Sequence, residues 1–109
     1  MTTNKALSRL GLARRAGKLV SGEELVLKAI RSGEANLVLL AEDASAGTRK
    51  KISDKCASYG VELLVGYSRI ELGGAAGQPE RVLFAVTDRG FAEMIRSGWV
   101  QHSEVENIE

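Results

Sequence analysis

Acidic and basic side chains cluster around one predicted helix start, at residues 22–24 of this 109-residue chain. Glu23 and Glu24 lie in its first turn. Lys28 and Arg31 follow Glu24 at about one-turn spacing and share its exposed face. Unpaired backbone N–H groups at a helix start suit a phosphate, whereas carboxylates there repel one. Carboxylates can instead accept hydrogen bonds from exposed base edges while Lys28 and Arg31 pair with phosphates, so this set indicates an RNA surface.

A purely structural interpretation of the same residues stays open. Ser21 precedes Glu24 by three residues, which is the spacing of a capping box and predicts that Ser21 is the N-cap. Glu24 and Lys28 also have the spacing of a surface ion pair worth ~0.3–0.5 kcal/mol. The basic stripe continues into the preceding turn through Lys18, Arg14 and Arg15.

A glycine-rich segment, LGGAAG at residues 72–77, is a second place where backbone can approach a ligand closely. It lacks the Lys-Ser/Thr ending of a phosphate-binding P-loop. We predict a long turn that continues through Gln78, Pro79, Glu80 and Arg81. We expect the turn at 17–24 and the loop at 72–81 to form one surface, although some 50 residues separate them.

The net charge of +1 conceals an asymmetry between the two halves of the chain. Residues 1–55 carry 11 Lys and Arg against 6 Asp and Glu, whereas residues 56–109 carry 4 against 8. Such an asymmetry indicates a polyanionic partner for the basic half. Arg49, Lys50 and Lys51 are predicted to open the third helix, where their charge opposes the helix dipole, so either RNA binding or solubility retains them.

Enzymatic chemistry finds little support in the sequence. His102 is the only histidine and Cys56 the only cysteine, so neither a metal cluster nor a Ser-His pair can be assembled around them. Cys56 fits the buried side of a helix, and Glu42 and Asp43 at a strand end fit a solvated loop better than a catalytic pair. We therefore predict no enzyme, no metal and no cofactor.

Apolar periodicity and breaker residues predict strands alternating with helices, which favours a single-domain, three-layer α/β/α sandwich with a mixed central sheet. We assign the domain to residues 1–98 and an acidic, flexible tail to residues 99–109. Predicted helices cover 4–16, 22–32, 48–59, 68–72 and the residues after Asp88; predicted strands cover 37–41, 61–65 and 82–87, with a short extended piece at 19–20. Predicted inward residues include Val26, Ala29, Ile30, Ile52, Cys56, Tyr59, Phe84, Phe91, Met94 and Ile95. The N-terminal residues lack a long apolar core and no apolar run reaches the ~18 residues of a membrane span, so we expect a cytoplasmic protein.

Two segments, GKLVSGEELVLKAIRSGEANLVLLAED at 17–43 and LGGAAG at 72–77, resemble the kink-turn RNA-binding ribosomal protein family of L7Ae and L30e, and within it the bacterial YlxQ-type members. The resemblance spans residues 12–88. Lys18, Gly22 and Lys28 match family positions. Glu23, Glu24 and Leu25 stand where the family has Thr, Asn and Glu, of which the last two contact tandem G·A pairs. Polar residues at 78–80 replace apolar ones that support a flipped-out nucleotide.

The resemblance implies a non-enzymatic protein that binds structured, sharply bent RNA, ribosomal RNA being one such target. It implies no membrane partner, and we favour a monomer. The RNA-binding residues that we predict are Lys18, Gly22, Glu23, Glu24, Lys28, Arg31, Gly73, Gln78, Pro79, Glu80 and Arg81. Relatives of this fold also act through protein partners, so Leu25 and the polar residues 78–80 leave open a protein-interaction module that has lost RNA binding.

Overall fold

A computed structural model of the chain describes residues 5–107, with side chains described for residues 5–99. Within these residues helices and strands alternate as predicted. The helices are α1 (Lys5–Arg15), α2 (Glu23–Ser32), α3 (Ala46–Tyr59), α4 (Arg69–Ala75) and α5 (Arg89–Asn107). The strands are β1 (Leu19–Ser21), β2 (Leu37–Leu40), β3 (Leu63–Val65) and β4 (Leu83–Val86). No described helix is long and apolar enough to cross a membrane.

The described strands form one mixed sheet in the order β1-β4-β2-β3. β4 pairs antiparallel with both β1 and β2, while β2 pairs parallel with β3. Every residue of β2 and β4 is buried, as expected for central strands covered on both faces. The predicted mixed sheet is therefore confirmed, and the short extended piece at 19–20 is an edge strand that ends at Ser21.

Helices cover both faces of the sheet, which confirms the three-layer sandwich. Leu37 and Leu39 point into a core cluster with Leu10 of α1, Leu72 of α4 and Ile95 of α5. Alternate residues of the same strand, Val38 and Leu40, point to the other face, where they pack in a cluster with residues of α2 and α3. That second cluster contains Val26, Ala29, Ile30, Ile52 and Cys56, all of which were predicted to face inward.

The capping box predicted for α2 is wrong. Ser21 belongs to β1 and pairs with Phe84, and Gly22 is the N-cap residue. Gly22 has φ 97°, a backbone conformation that other residues rarely adopt. The other end of α2 agrees with the sequence, because Gly33 adopts the left-handed conformation and its N–H donates to the carbonyls of Ala29 and Ile30.

Two further helices have bounds that differ from the prediction: α3 begins earlier, and α4 ends later. α3 begins at Ala46 because Ser45 caps it and accepts a hydrogen bond from the backbone N–H of Thr48. Arg49, Lys50 and Lys51 therefore lie beyond the first three helical residues rather than opening the helix. α4 extends to Ala75, so the glycine pair 73–74 is helical and not part of a turn.

The last helix, α5, includes residues that were predicted to belong to the tail. Asp88, after which this helix was predicted to begin, caps it by accepting a hydrogen bond from the N–H of Phe91 at 2.9 Å. Trp99, the first residue assigned to the tail, is buried and packs edge-on against Tyr67 with ring centroids 4.6 Å apart. The helix continues to Asn107, whereas the side chains of residues 100–109, including His102, lie outside the described residues. Two predicted inward residues are instead exposed, Tyr59 by 49% and Met94 by 40%.

Candidate nucleic-acid interface

The start of α2 is positioned by the sheet. β1 delivers the chain directly to Gly22, whose N–H donates to the carbonyl of Leu83 at the beginning of β4, at 3.3 Å. One of the three N–H groups predicted to be available at 22–24 is therefore committed to the fold. Those of Glu23 and Glu24 remain in the first helical turn, where N–H groups have no intrahelical acceptor. No Cβ contact would arise at Gly22 within 4 Å, so the backbone here is open to a ligand.

The loop between α4 and β4, residues 76–82, is braced by its own hydrogen bonds. The N–H of Gln78 donates to the carbonyl of Gly73 at 2.7 Å, and the Arg81 guanidinium donates to the Gln78 side chain at 3.0 Å and to the Glu80 carbonyl at 2.7 Å. Gly73 itself is buried, and a Cβ there would lie 2.4 Å from Cα of Glu80. Its demonstrated role is this close packing, and its contact with RNA stays a prediction.

The start of α2 and the α4–β4 loop meet at a cavity of about 320 Å³, which we call the helix-start cavity. Gly22 and Glu23 form one wall, and Arg81 forms another. The expected proximity of the two segments is thus observed at these residues. The remaining lining residues, which the sequence analysis did not assign to a site, are Ser45, Thr48, Arg69, Val82 and Leu83.

Ion pairs hold the charged residues around the helix-start cavity. Nζ of Lys51 lies 2.6 Å from Oε2 of Glu23, and both side chains are about half exposed. Nε of Arg69 lies 3.5 Å from Asp43 and 4.0 Å from Glu80. Carboxylates therefore partly neutralise the basic side chains here, which leaves a surface of mixed charge rather than a strongly positive one.

Arg69 is the main residue that the sequence analysis missed. Its backbone N–H donates to the Asp43 side chain at 3.0 Å, and its guanidinium donates to the Asp43 carbonyl at 2.6 Å. It follows the N-cap Ser68, so an arginine at a predicted helix start after a strand was the available signal. Asp43, considered above as a strand-end acid, thus positions the basic side chain of Arg69 rather than forming an acidic pair with Glu42.

The other predicted RNA-binding residues lie outside the lining of this cavity. Lys18, Glu24, Lys28 and Arg31 are exposed, and the last three lie on α2 away from its buried residues. The Lys18 carbonyl accepts from the N–H of Thr87 at 3.0 Å, which fixes the turn before β1 against the end of β4. Their contacts with RNA stay predictions, as do those of Gln78, Pro79 and Glu80.

The described residues offer no obvious catalytic apparatus. No group of three or more His, Cys, Asp and Glu residues within them could hold a metal ion. Burial raises the pKa of the Cys56 thiol to about 11, so the thiol stays protonated at neutral pH.

Comparison with known proteins identifies the family to which this chain belongs. Residues 4–95 match the model of the Ribosomal protein L7Ae/L30e/S12e/Gadd45 family. The chain belongs to this family. It is 54% identical over 88 residues to the RNA-binding protein YlxQ of Bacillus subtilis, a match that covers 81% of this chain and 88% of that protein. It is 39% identical over 93 residues to the large ribosomal subunit protein eL30 of Branchiostoma belcheri, covering 83% and 81% of the two chains.

Solved structures agree with this assignment. A protein of unknown function from Bacillus halodurans superposes with a TM-score of 0.88 at 44% identity, covering 90% of this chain and 99% of that one. The Giardia lamblia 15.5kD RNA binding protein superposes with a TM-score of 0.77 at 18% identity, covering 89% and 83%. At that identity the second similarity establishes the fold alone.

Proposed function

We propose that this protein is a non-enzymatic RNA-binding protein that recognises a kink-turn or a similarly bent RNA. The observation that carries the proposal is the helix-start cavity, because it joins the open backbone at Gly22 to Arg81 from a distant part of the chain. Relatives named as RNA-binding and ribosomal proteins support RNA as the ligand. We expect the protein to act as a monomer in the cytoplasm, with ribosomal RNA as one candidate target.

The exposed face of α2 supplies the contacts along one stem of the RNA. The Glu24 carboxylate, in the first turn, accepts hydrogen bonds from the edges of non-Watson–Crick guanines. Lys28 and Arg31, further along the same helix, pair with backbone phosphates, and Lys18 does so from the preceding turn. All four side chains are exposed, as this role requires.

The helix-start cavity then receives a nucleotide that the bend extrudes from the stack. Its volume of about 320 Å³ accommodates a base, and its lining combines the aliphatic residues Val82 and Leu83 with two guanidinium groups. Arginine planes stack on bases, so Arg69 and Arg81 can replace the apolar support that residues 78–80 no longer provide.

A protein-interaction role is the second candidate, and two exposed apolar residues favour it. Leu25 is 54% exposed in the first turn of α2, and Ile70 is 68% exposed in the first turn of α4. Leu25 cannot hydrogen-bond a base. If RNA recognition is retained, Leu25→Glu should increase the preference for G·A-containing RNA, whereas a surface used for apolar contacts gives no such gain.

Titration with two RNAs tests the proposed function. One is a bent stem with tandem G·A pairs, and the other is the same stem with those pairs made Watson–Crick. We expect tighter binding to the first. The phosphate contacts of Lys18, Lys28 and Arg31 should contribute about −2 to −3 to the slope of log binding constant against log salt concentration, because each contributes roughly −0.7 to −0.9. Failure of the wild-type protein to bind either RNA at low salt would refute the proposal in favour of the protein-interaction role.

A further inference from the structure

A second concave surface lies at the other end of the α4–β4 loop. It is a groove of about 270 Å³ between the end of α1 and the end of α4, which we call the arginine groove. Arg14 and Arg15 supply its charged side chains. Its other lining residues are Gly11, Gly74, Ala75, Ala76 and Gly77.

The arginine groove is shaped by backbone rather than by side chains. α1 and α4 pack so closely that a Cβ at Gly11 would lie 2.9 Å from the carbonyl oxygen of Ala75. At Gly74, by contrast, a Cβ would meet nothing within 4 Å, so this wall faces open space. The close packing at Gly11 therefore fixes one side of the groove, and the side at Gly74 is open to solvent.

Among the residues whose side chains are described, no carboxylate pairs with the arginines of this groove. Among the described residues, neither Arg14 nor Arg15 forms an ion pair, in contrast to Lys51 and Arg69 at the helix-start cavity. The lining residues include no carboxylate. A Cβ at Gly77 would lie 3.8 Å from Nη1 of Arg14, so this guanidinium extends from α1 to the α4–β4 loop.

The arginine groove and the helix-start cavity share that loop. Gly77 lines the groove and Arg81 lines the cavity. Four residues of chain span at most about 14 Å, so one RNA can occupy both places. A ligand bent across the loop would present one arm to α2 and the other to Arg14 and Arg15.

We propose that the arginine groove binds backbone phosphates of the second arm of the same bent RNA. The inference rests on the proposed function, since it extends the RNA surface from one end of the α4–β4 loop to both ends. Two guanidinium groups suit phosphate oxygens because each presents several donors in a planar fork. The glycine and alanine residues that line the groove let the RNA backbone approach closely. Because the groove contacts phosphates and not bases, binding there is independent of the RNA sequence.

Helix capping alone is the alternative role for these arginines. They lie in the last turn of α1, where positive charge offsets the helix dipole. Capping predicts that their removal lowers thermal stability and leaves RNA affinity unchanged. Phosphate binding predicts a loss of affinity that depends on salt and on the length of the second arm.

The double variant Arg14→Ala/Arg15→Ala separates these roles. The probe is the bent stem with tandem G·A pairs, used once with two full arms and once with the arm beyond the bend cut back. On the full RNA we expect about tenfold weaker binding at 0.1 M salt and a salt slope reduced by about 1.5. On the shortened RNA the double variant and the wild type should bind alike.

Arg9→Ala is the charge control, because it removes one positive charge from another face of α1 and its effect can be compared with the effect per charge of the double variant. Nη1 of Arg9 lies 2.6 Å from the carbonyl oxygen of Met94 on α5, away from the arginine groove. We expect this variant to keep the wild-type RNA affinity and salt slope. An equal loss of binding free energy per charge removed in the two variants would refute the proposal, because it would reflect only the general charge of the helix.

Gly74 provides a test that leaves both arginines in place. Its open surroundings accept a side chain, so Gly74→Glu and Gly74→Lys should both fold. We expect Gly74→Glu to weaken binding to the full RNA by about fivefold and Gly74→Lys to strengthen it. Equal affinities for the two variants would overturn the proposal, whereas a wild-type protein that binds no RNA would overturn the proposed function itself.

Discussion

Nζ of Lys51 lies 2.6 Å from Oε2 of Glu23, so an ion pair ties α3 to the first turn of α2 at the helix-start cavity. Both side chains are about half exposed, and such pairs contribute only ~0.2–1 kcal/mol to stability. The pair is therefore weak enough for a competing phosphate to break it. Glu23, one of the predicted RNA-binding residues, thus occupies Lys51 within the protein, and its carboxylate repels backbone phosphates of the RNA that we expect at this helix start.

Replacing Glu23 with threonine, the residue that the resemblance indicates for the family at this position, should strengthen RNA binding. Glu23→Thr removes a repelling carboxylate and releases Lys51, so we expect about fivefold tighter binding to the bent stem and a salt slope steeper by about 1. Adding Lys51→Met should cancel the gain. Glu34→Gln, which removes an exposed acid just beyond the other end of α2, is the control and should bind like the wild type.

Replacing Glu24 and replacing Lys28 with alanine should change RNA binding in different ways. Lys28→Ala removes a phosphate contact, so it should weaken binding to both test RNAs alike and reduce the salt slope by ~1. Glu24→Ala removes a base contact, so it should cost ~1–3 kcal/mol with the G·A stem, by analogy with base readout in DNA, and little with the Watson–Crick stem.

A purely structural Glu24 gives a different result. The carboxylate would then only offset the dipole of α2, and Glu24→Ala would lower the free energy of unfolding by ~0.3–1 kcal/mol. Unchanged discrimination between the two RNAs, together with such a loss in thermal denaturation, would exclude base readout by Glu24.

Gly22→Ala should destabilise the protein. The φ of 97° at Gly22 places the chain where a side chain is strained, and the N–H there must still reach Leu83. We expect a loss of ~1–3 kcal/mol in the free energy of unfolding, measured by denaturant titration. Gly47→Ala is the control: this residue is helical, with ordinary φ and open space around it, so the variant should be no less stable than the wild type.

Much of the fold follows from local sequence. Continuous apolar runs predicted β2 and β4, because a strand covered on both faces has no polar position. The helices predicted to end at residues 32 and 59 do end there, because Gly33 and Gly60, which follow them, both adopt the left-handed conformation. The capping box at Ser21 failed because pairing with Phe84, 63 positions later, outweighs a local capping pattern.

The site was predictable only in part, for a related reason. Residues 73–75 contain two glycines and still form helix, because close packing against Gly11 and Glu80 compensates for their weak helical propensity. Arg69 joins the helix-start cavity through Asp43, a residue 26 positions earlier. No spacing rule relates such residues, so their proximity emerges only from the folded chain.

Thiol chemistry gives a prediction that is independent of RNA. Burial raises the pKa of Cys56 from its ordinary value of 9.0 to about 11, so the folded protein keeps a proton that the unfolded chain releases above about pH 9. The contribution of Cys56 to the free energy of unfolding should therefore fall as pH rises from about 9 to about 11. Denaturant titrations of wild type and Cys56→Ala across this range test it, and a constant difference between the two would contradict it.

The late position of β4 in the sequence delays completion of the site while the protein is being synthesised. β1 pairs within the described sheet only with β4, and Gly22 donates to Leu83 of that same strand. The start of α2 therefore emerges from the ribosome some 60 residues before its anchor does. A nascent chain stalled before residue 83 lacks the strand that anchors β1 and Gly22, so the start of α2 has no fixed entry angle until β4 is released.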